Sequence, residues 1–373
     1  MKINLSSPDI TQAEIDAVVA VLKTPNLSLG PKLGEFETAM ADYVGRRFAV
    51  AVNSGTSALQ LCLLALGIGP GDEVLTTPFS FISTTNVILM VGATPIFVDI
   101  DPVTYNIDVE SLAEKITDKT KAIIPVEVFG NPARLDEVYD FARNHGLACI
   151  EDSCEALGSI VNGRRCGTLG QFSTFAFYPN KQMTTGEGGI ILTDDADLAA
   201  LCASLRNQGR DAHAGWLAHA RLGYNYRLCD INCALGIVQL SRIEHFVAQR
   251  QRVFDLYKKH LQNDDRLILP YEPANCRISW FVYVPRLADR FTGDDRNRIL
   301  EHLRENGIGA SNYFTPIHLQ PYIVHALGTR PGQYPVTEYV AQRTMALPFH
   351  NHLSEQEIRT VCQVLTQGLD ALA

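Results

Sequence analysis

No apolar run in this chain approaches the length of a membrane span. The longest, residues 61–70, is half of the ~20 residues that a helix needs to cross a bilayer. The opening residues Met1–Leu5 carry no apolar core of a signal peptide. No CxxC pair occurs among the nine cysteines, and nine is an odd number, so neither a disulfide framework nor a metal site is expected. The cysteines at 62, 149, 154, 166, 202, 229, 233, 276 and 362 suit a reducing cytoplasm, where most serve as small buried hydrophobes. Basic residues are outnumbered: 32 Lys and Arg face 41 Asp and Glu, for a formal charge of −9, and no long basic run occurs. That argues against a nucleic-acid polymer or an anionic membrane as partner. It leaves room for a small anion held by a few local groups. Internal repeats and low-complexity segments are also missing.

What is present is material for a large core. Hydrophobic residues make up 46% and charged residues 20% of 373, ordinary values for a soluble globular chain. At roughly 100–200 residues per domain the length suits two domains. Thr11 and Glu14 form a T-x-x-E capping box ahead of Ile15, Val18, Val19 and Leu22 at helical spacing. A turn-rich loop at 24–31 precedes a second amphipathic segment through Phe36, Met40 and Tyr43. Short apolar or β-branched runs then appear at 48–52, 73–76, 95–100, 122–128, 147–150, 172–177 and 189–193. Helical patterns at 57–66, 109–116 and 135–144 separate several of them. This alternation predicts an α/β domain with a mostly parallel sheet covered on both faces. Asn162-Gly163 reads as a tight hairpin turn. Beyond residue 230 a long helical pattern runs over 232–259, followed by a strand at 278–284 and helices at 294–306 and 354–369. The expected division is a large domain, 1–245, and a smaller α+β domain, 246–373, with the long helix as the bridge.

Three features can carry chemistry. Asn53-Ser54-Gly55-Thr56-Ser57-Ala58-Leu59 follows a predicted strand and opens a predicted helix. Its small residues let backbone N–H groups converge, and the helix dipole favours an anion there, although Ser54 or Thr56 would equally make a plain N-cap. It is neither a Walker loop nor G-x-G-x-x-G. Glu151-Asp152 closes a strand, where open α/β sheets place ligands. Lys181 lies between the aromatic run Phe175-Ala176-Phe177-Tyr178 and the glycine-rich Gly186-Glu187-Gly188-Gly189. A lysine in an apolar pocket can act as an amine nucleophile, whereas a solvated loop lysine would not. Together the three form the set that pyridoxal phosphate needs: a phosphate seat, a carboxylate for the pyridine nitrogen, and a lysine for the Schiff base.

Over nearly the whole chain the sequence resembles the DegT/DnrJ/EryC1/StrS sugar aminotransferases, which are fold-type-I, aspartate-aminotransferase-like enzymes. Phe36-Glu37, segment 53–59, segment 97–101, Glu151-Asp152, segment 178–189, segment 223–227 and segment 316–320 carry the resemblance, and 181–189 is its most specific block. It implies a large domain with a mostly parallel seven-stranded sheet sandwiched by helices, plus the small C-terminal domain. It implies pyridoxal 5'-phosphate as cofactor, with pyridoxamine 5'-phosphate as the intermediate form. By similarity Lys181 carries the cofactor and moves protons, and Asp152 faces the pyridine nitrogen. Gly55, Thr56 and Ser57 would hold the phosphate, Phe81 would pack on the ring, and Glu155 would lie near the cofactor face. Asn225 would reach the phosphate of a partner subunit, which makes the enzyme a homodimer with shared sites. L-Glutamate is the implied donor and a nucleotide-linked keto sugar the acceptor, foremost C4 of a 4-keto-6-deoxyhexose. The amino sugar product would serve a surface polysaccharide such as the O-antigen of lipopolysaccharide, or a secondary metabolite. Ser28, Tyr313, His318 and Arg227 fall on the sugar side, and Arg206, Arg210 and Arg221 add positive charge for a pyrophosphate.

Two positions depart from the pattern. Ala176 stands where the family often has a phosphate-binding serine, leaving Ser173, Thr174 or water to replace it. Glu127 stands where many members have histidine. A 3-keto sugar or cyclitol ketone is an alternative acceptor. A sugar dehydratase on this fold would carry histidine in place of Lys181. A non-catalytic sensor would need an added module, for which the chain has no spare stretch.

Overall fold

The computed structural model describes residues 2–211, 215 and 218–372. Met1 and Ala373, the outer ends of the two expected domains, lie outside the described residues. The main sheet uses seven strands: β1 (Phe48–Val52), β2 (Glu73–Thr76), β3 (Thr94–Phe97), β4 (Thr120–Ile123), β5 (Ala148–Asp152), β8 (Phe172–Ala176) and β9 (Gly189–Thr193). Their order is β1-β9-β8-β5-β4-β2-β3. β9 pairs antiparallel with both neighbours, and the pairs β8/β5, β5/β4, β4/β2 and β2/β3 are parallel. Between β5 and β8 lies the hairpin β6 (Ile160–Val161) and β7 (Arg164–Arg165). Its turn is the expected Asn162-Gly163, with both residues at positive φ, 47° and 76°.

Side-chain alternation covers the sheet on both faces. Val50, Val52 and Ile191 face one core, with α3 (Gly55–Ala65), α4 (Ser83–Met90) and α6 (Ala196–Arg206). Ala51, Ile190, Leu192 and Phe175 face the opposite core, which includes Phe36 and Met40 of α2 (Pro31–Val44) and Cys233 and Leu240 of α7 (Asp230–Ser241). α1 (Gln12–Leu22) opens at its Thr11/Glu14 capping box and lies on α7. α5 (Leu135–Asn144) covers β5. The outer edge of β1 is closed by side chains: Ala51 N–H donates to Glu37 Oε1 at 2.9 Å and Arg206 donates to Ala51 O at 2.5 Å. Arg206 also pairs with Glu37.

The expected helix at 109–116 is instead two short 3₁₀ turns, Val109–Ser111 and Ala113–Lys115. Asp108 caps the first, and buried Leu112 between them anchors the chain to the sheet core. The expected long helix at 232–259 is two helices, α7 and α8 (Ile243–Leu261). The break is at Arg242, whose N–H bonds Gln239 O while its guanidinium is held by Asp9 Oδ1 at 2.8 Å and Glu14 Oε1 at 2.6 Å.

α8 leads into a second core with α9 (Gly293–Glu305) and α12 (Glu355–Asp370), which meet through Phe254, Tyr257, Leu300, Leu303, Val361 and Leu365. α10 (Pro321–Leu327) and α11 (Pro335–Ala341) complete the helices. β10 (Leu267–Ile268) pairs with β12 (Arg286–Leu287), and β11 (Cys276–Arg277) extends the β6/β7 hairpin. Residues 278–284, expected as a strand, are buried, but within the run only Tyr283 is bridged, to Leu347. The chain's beginning also belongs to this region: Ile3 bridges Ile308, and Phe349 N–H donates to Leu5 O. Among the described residues no helix is long and apolar enough to cross a membrane.

Candidate active site

Parallel strands put their carboxyl ends, and hence their loops, on one edge of the sheet. The antiparallel β9 starts at that same edge, because Gly189 pairs with both Val52 and Ala176. The loop joining β8 to β9 therefore returns Lys181 to the place where Gly55 and Asp152 emerge. A cavity of about 480 Å³ opens there, lined by Gly55, Thr56, Phe81, Asp152, Glu155 and Lys181 among others.

Its floor is tightly determined. Strand alternation turns the two carboxylates of Glu151-Asp152 opposite ways. Glu151 points into the protein and accepts from the N–H groups of Gly167, Leu169 and Gly170 at 2.5–2.8 Å. Asp152 borders the cavity and is only 4% exposed, with Thr84 Oγ1 donating to its Oδ2 at 2.5 Å. Lys181 Nζ lies 3.4 Å from Glu155 Oε1 and 4.1 Å from the centroid of the Phe281 ring. Burial pushes the Glu155 carboxyl up, while the Lys181 charge and the Phe129 N–H oppose this. Burial also pushes Tyr313 up to about 12, helped by the Glu155 charge. Gln182 Nε2 ties this floor together, donating to Glu155 O at 2.5 Å and to Ser279 O at 2.9 Å.

The first turn of α3 is shaped for a close approach. A Cβ on Gly55 would sit 2.8 Å from Ala176 Cβ and 3.0 Å from Cys154 Sγ. With no side chain at 55, the leading amides of α3 are open to an anion.

Residues 8–366 match the DegT/DnrJ/EryC1/StrS aminotransferase family. The chain belongs to that family. Its enzymes use pyridoxal phosphate and aminate sugars. This aminotransferase is 38% identical over 370 residues to the GDP-perosamine synthase of Caulobacter vibrioides, covering 99% of this chain and 98% of that one. Among solved structures it superposes on PseC of Helicobacter pylori, an aminotransferase involved in the biosynthesis of pseudoaminic acid, with a TM-score of 0.93, 27% identity and full coverage of both chains. It superposes equally well, at TM-score 0.93 and 29% identity over the full length of both, on the pyridoxal phosphate form of a sugar aminotransferase from Streptococcus pneumoniae.

The residues of the aminotransferase fit the cofactor: an anion seat at Gly55 and Thr56, a buried carboxylate at Asp152 and an amine at Lys181 border one space. Phe81 and Tyr313 border it too. Other expected residues lie elsewhere. Ser57 is buried behind the turn, where its hydroxyl donates to Asn53 Oδ1 at 2.7 Å. His318 is fully buried and pairs with Glu338 at 2.9 Å, away from the cavity lining. Ser28 bridges Cys229, and Arg227 donates to Asn207 Oδ1. Asn225 is exposed and bridges Asn207, outside its own chain's cavity lining. Arg206 is spent on Glu37 and Ala51, and Arg221 on Asp211. Neither substitute for the missing serine is free: Ser173 donates to Gly167 O and Thr174 to Glu151 O.

Sequence reasoning missed Phe281, Phe314, Asn180 and Cys154 in the lining, and Thr84 behind Asp152. Thr84, in the first turn of α4, and Phe281, in the extended run at 278–284, lie far from Asp152 and Lys181 in sequence, so no local spacing ties them to the site. Cys154 was two residues from Asp152 and was readable as a neighbour of the site.

Proposed function

We propose that this aminotransferase moves an amino group from L-glutamate to C4 of a nucleotide-linked 4-keto-6-deoxyhexose, as a cytoplasmic homodimer with shared sites. The observation that carries this reading is the meeting of Lys181, Glu155 and Asp152 in one cavity with the first turn of α3. When bound, pyridoxal phosphate supplies an aldehyde carbon that takes the amino group and a ring that withdraws electrons. Gly55 and Thr56, at the first turn of α3, would hold its phosphate through their amides. Asp152 would hold a positive charge at the ring nitrogen, its carboxylate fixed by the hydrogen bond from Thr84. Lys181 Nζ would hold the group, and its amine, set beside Glu155, would serve as the base that holds and moves a proton. Glu155 orients that amine from 3.4 Å. The lysine favours amination over sugar dehydration, since a free amine is needed to re-form the covalent link.

Similarity to two GDP-perosamine synthases, from Caulobacter vibrioides and Escherichia coli, at 38% and 33% identity, supports a nucleotide-linked sugar as the acceptor. Dimerisation is supported by the rim. Phe81 and Tyr178 line the cavity yet are 59% and 53% exposed, and Leu222, near Asn225, is 83% exposed. A second copy would cover such surface and bring Asn225 to the neighbouring phosphate seat. The test is mass spectrometry of products from a panel of GDP-, UDP- and dTDP-linked 4-keto and 3-keto sugars with glutamate. A 4-amino product is expected. Amination of the 3-keto sugars alone would overturn the C4 assignment, and absence of glutamate-dependent conversion to pyridoxamine phosphate would overturn the donor.

A further inference from the structure

We infer that Arg250, on α8, is a positioning residue for Lys181, whose guanidinium locks the lysine main chain to the aromatic residue beneath its amine. The inference rests on the role proposed for Lys181. Arg250 is 3% exposed. Its Nη2 donates to Lys181 O at 3.0 Å. Its Nη1 donates to Phe281 O at 3.0 Å and to Trp280 O at 3.3 Å. The Phe281 ring is the one lying 4.1 Å from Lys181 Nζ. One side chain thus bonds the backbone of the residue that bears the amine and the backbone of the residue that supports it.

The two segments it joins are distant in sequence, the β8–β9 loop and the extended run at 278–284. The other polar tie between them is Gln182, which bonds Ser279 O rather than Phe281. Remove the guanidinium and, among the described residues, no hydrogen-bonding group bridges the backbones of Lys181 and Phe281; the Gln182 tie and the Glu155 contact remain.

The chemistry of the position argues for a purpose. Among the described residues no carboxylate lies within ion-pair distance of Arg250, and its Nε has no partner. Burial draws its pKa down to about 10, and Asp9 is the acid that opposes this. His350 faces it from the small domain, and Phe349 lies under the guanidinium at 5.6 Å. A buried cation without a paired anion is costly, and carbonyl dipoles offset that cost only in part. A planar fork is needed to bond carbonyls on two strands of chain at once; the point charge of lysine reaches fewer of them. Since near-attack geometry rather than substrate contact is affected, the loss should fall on kcat.

The test compares Arg250→Lys, Arg250→Met and Arg250→Ala in the full-length, cofactor-loaded enzyme. For Arg250→Met, kcat should fall on the order of 10²-fold with KM held within about twofold. Borohydride trapping of the cofactor on Lys181, followed by peptide mass, should slow in parallel. Arg250→Lys should fold and recover part of both losses, and added guanidinium should rescue Arg250→Ala in part. Unchanged kcat and trapping rate, a loss confined to KM, or a lowered Tm alone would each overturn the inference. Lys181→Ala is the separate control: if a trapped adduct persisted there, the assignment of Lys181 would fail instead.

Discussion

Asp152, Glu155 and Lys181 at the floor of the cavity are held by neighbours that are themselves buried: Thr84, Gln182, Phe281 and Arg250. Phe81 and Tyr178 at its rim are more than half exposed. The floor holds these side chains in place, because Asp152, Glu155 and Lys181 each have a buried partner that cannot retreat into solvent. The rim presents apolar surface that a single chain leaves uncovered. Chemistry common to many substrates belongs on the first kind of surface, and discrimination and assembly belong on the second.

The comparison can be pressed hardest at Asp152. Asp152→Asn keeps the shape and removes the charge, and should lower kcat on the order of 10³-fold with little change in Tm. Stopped-flow measurement of the glutamate half-reaction would check it, and a tenfold effect or less would mean the floor does not govern the chemistry. Phe81→Ala tests the rim. It should weaken cofactor binding about fivefold, since a ring contact is worth ~1 kcal/mol, with kcat at saturating cofactor nearly intact. Fluorescence titration of the apoenzyme gives the Kd.

The smallest effect lies behind the floor, at Glu127. Both its oxygens are buried without a hydrogen-bond partner among the described residues. Burial, then the charges of Glu151 and Asp152, push its carboxyl well above the ordinary value of 4.5. A carboxyl raised in the folded state stabilises fully below pH 4.5, and that contribution is lost as pH rises through the folded value. Glu127→Gln has no proton to lose. Its Tm should fall less than the parent's between about pH 5 and pH 9, by a few degrees at most, as differential scanning would record. Parallel curves would show that the buried acid is already compensated.

Much of this was legible in the sequence. β1, β2, β9 and α5 occupy the very residues that their apolar patterns delimit, and Lys181, Asp152, Gly55 and Thr56 meet as their motifs imply. Local signals sufficed there because strand ends and helix starts are written in neighbouring residues. What was not legible depends on distant partners. The helix break at Arg242 is held by Asp9 and Glu14, more than two hundred residues earlier. The same holds for His318, whose place in a sugar-facing motif hid a buried pair with Glu338. Arg250 lies within the helical pattern at 232–259 with no local signal that singles it out, and the fold shows that it faces inward.

The side-chain clip on β1 has a consequence beyond the site. An edge strand with free N–H and C=O groups is a template for any other extended chain. By occupying both groups of Ala51, Glu37 and Arg206 remove one rung of that template, next to Val52, which is bridged by Arg227. An approaching extended chain would find no free donor or acceptor on Ala51 to pair with.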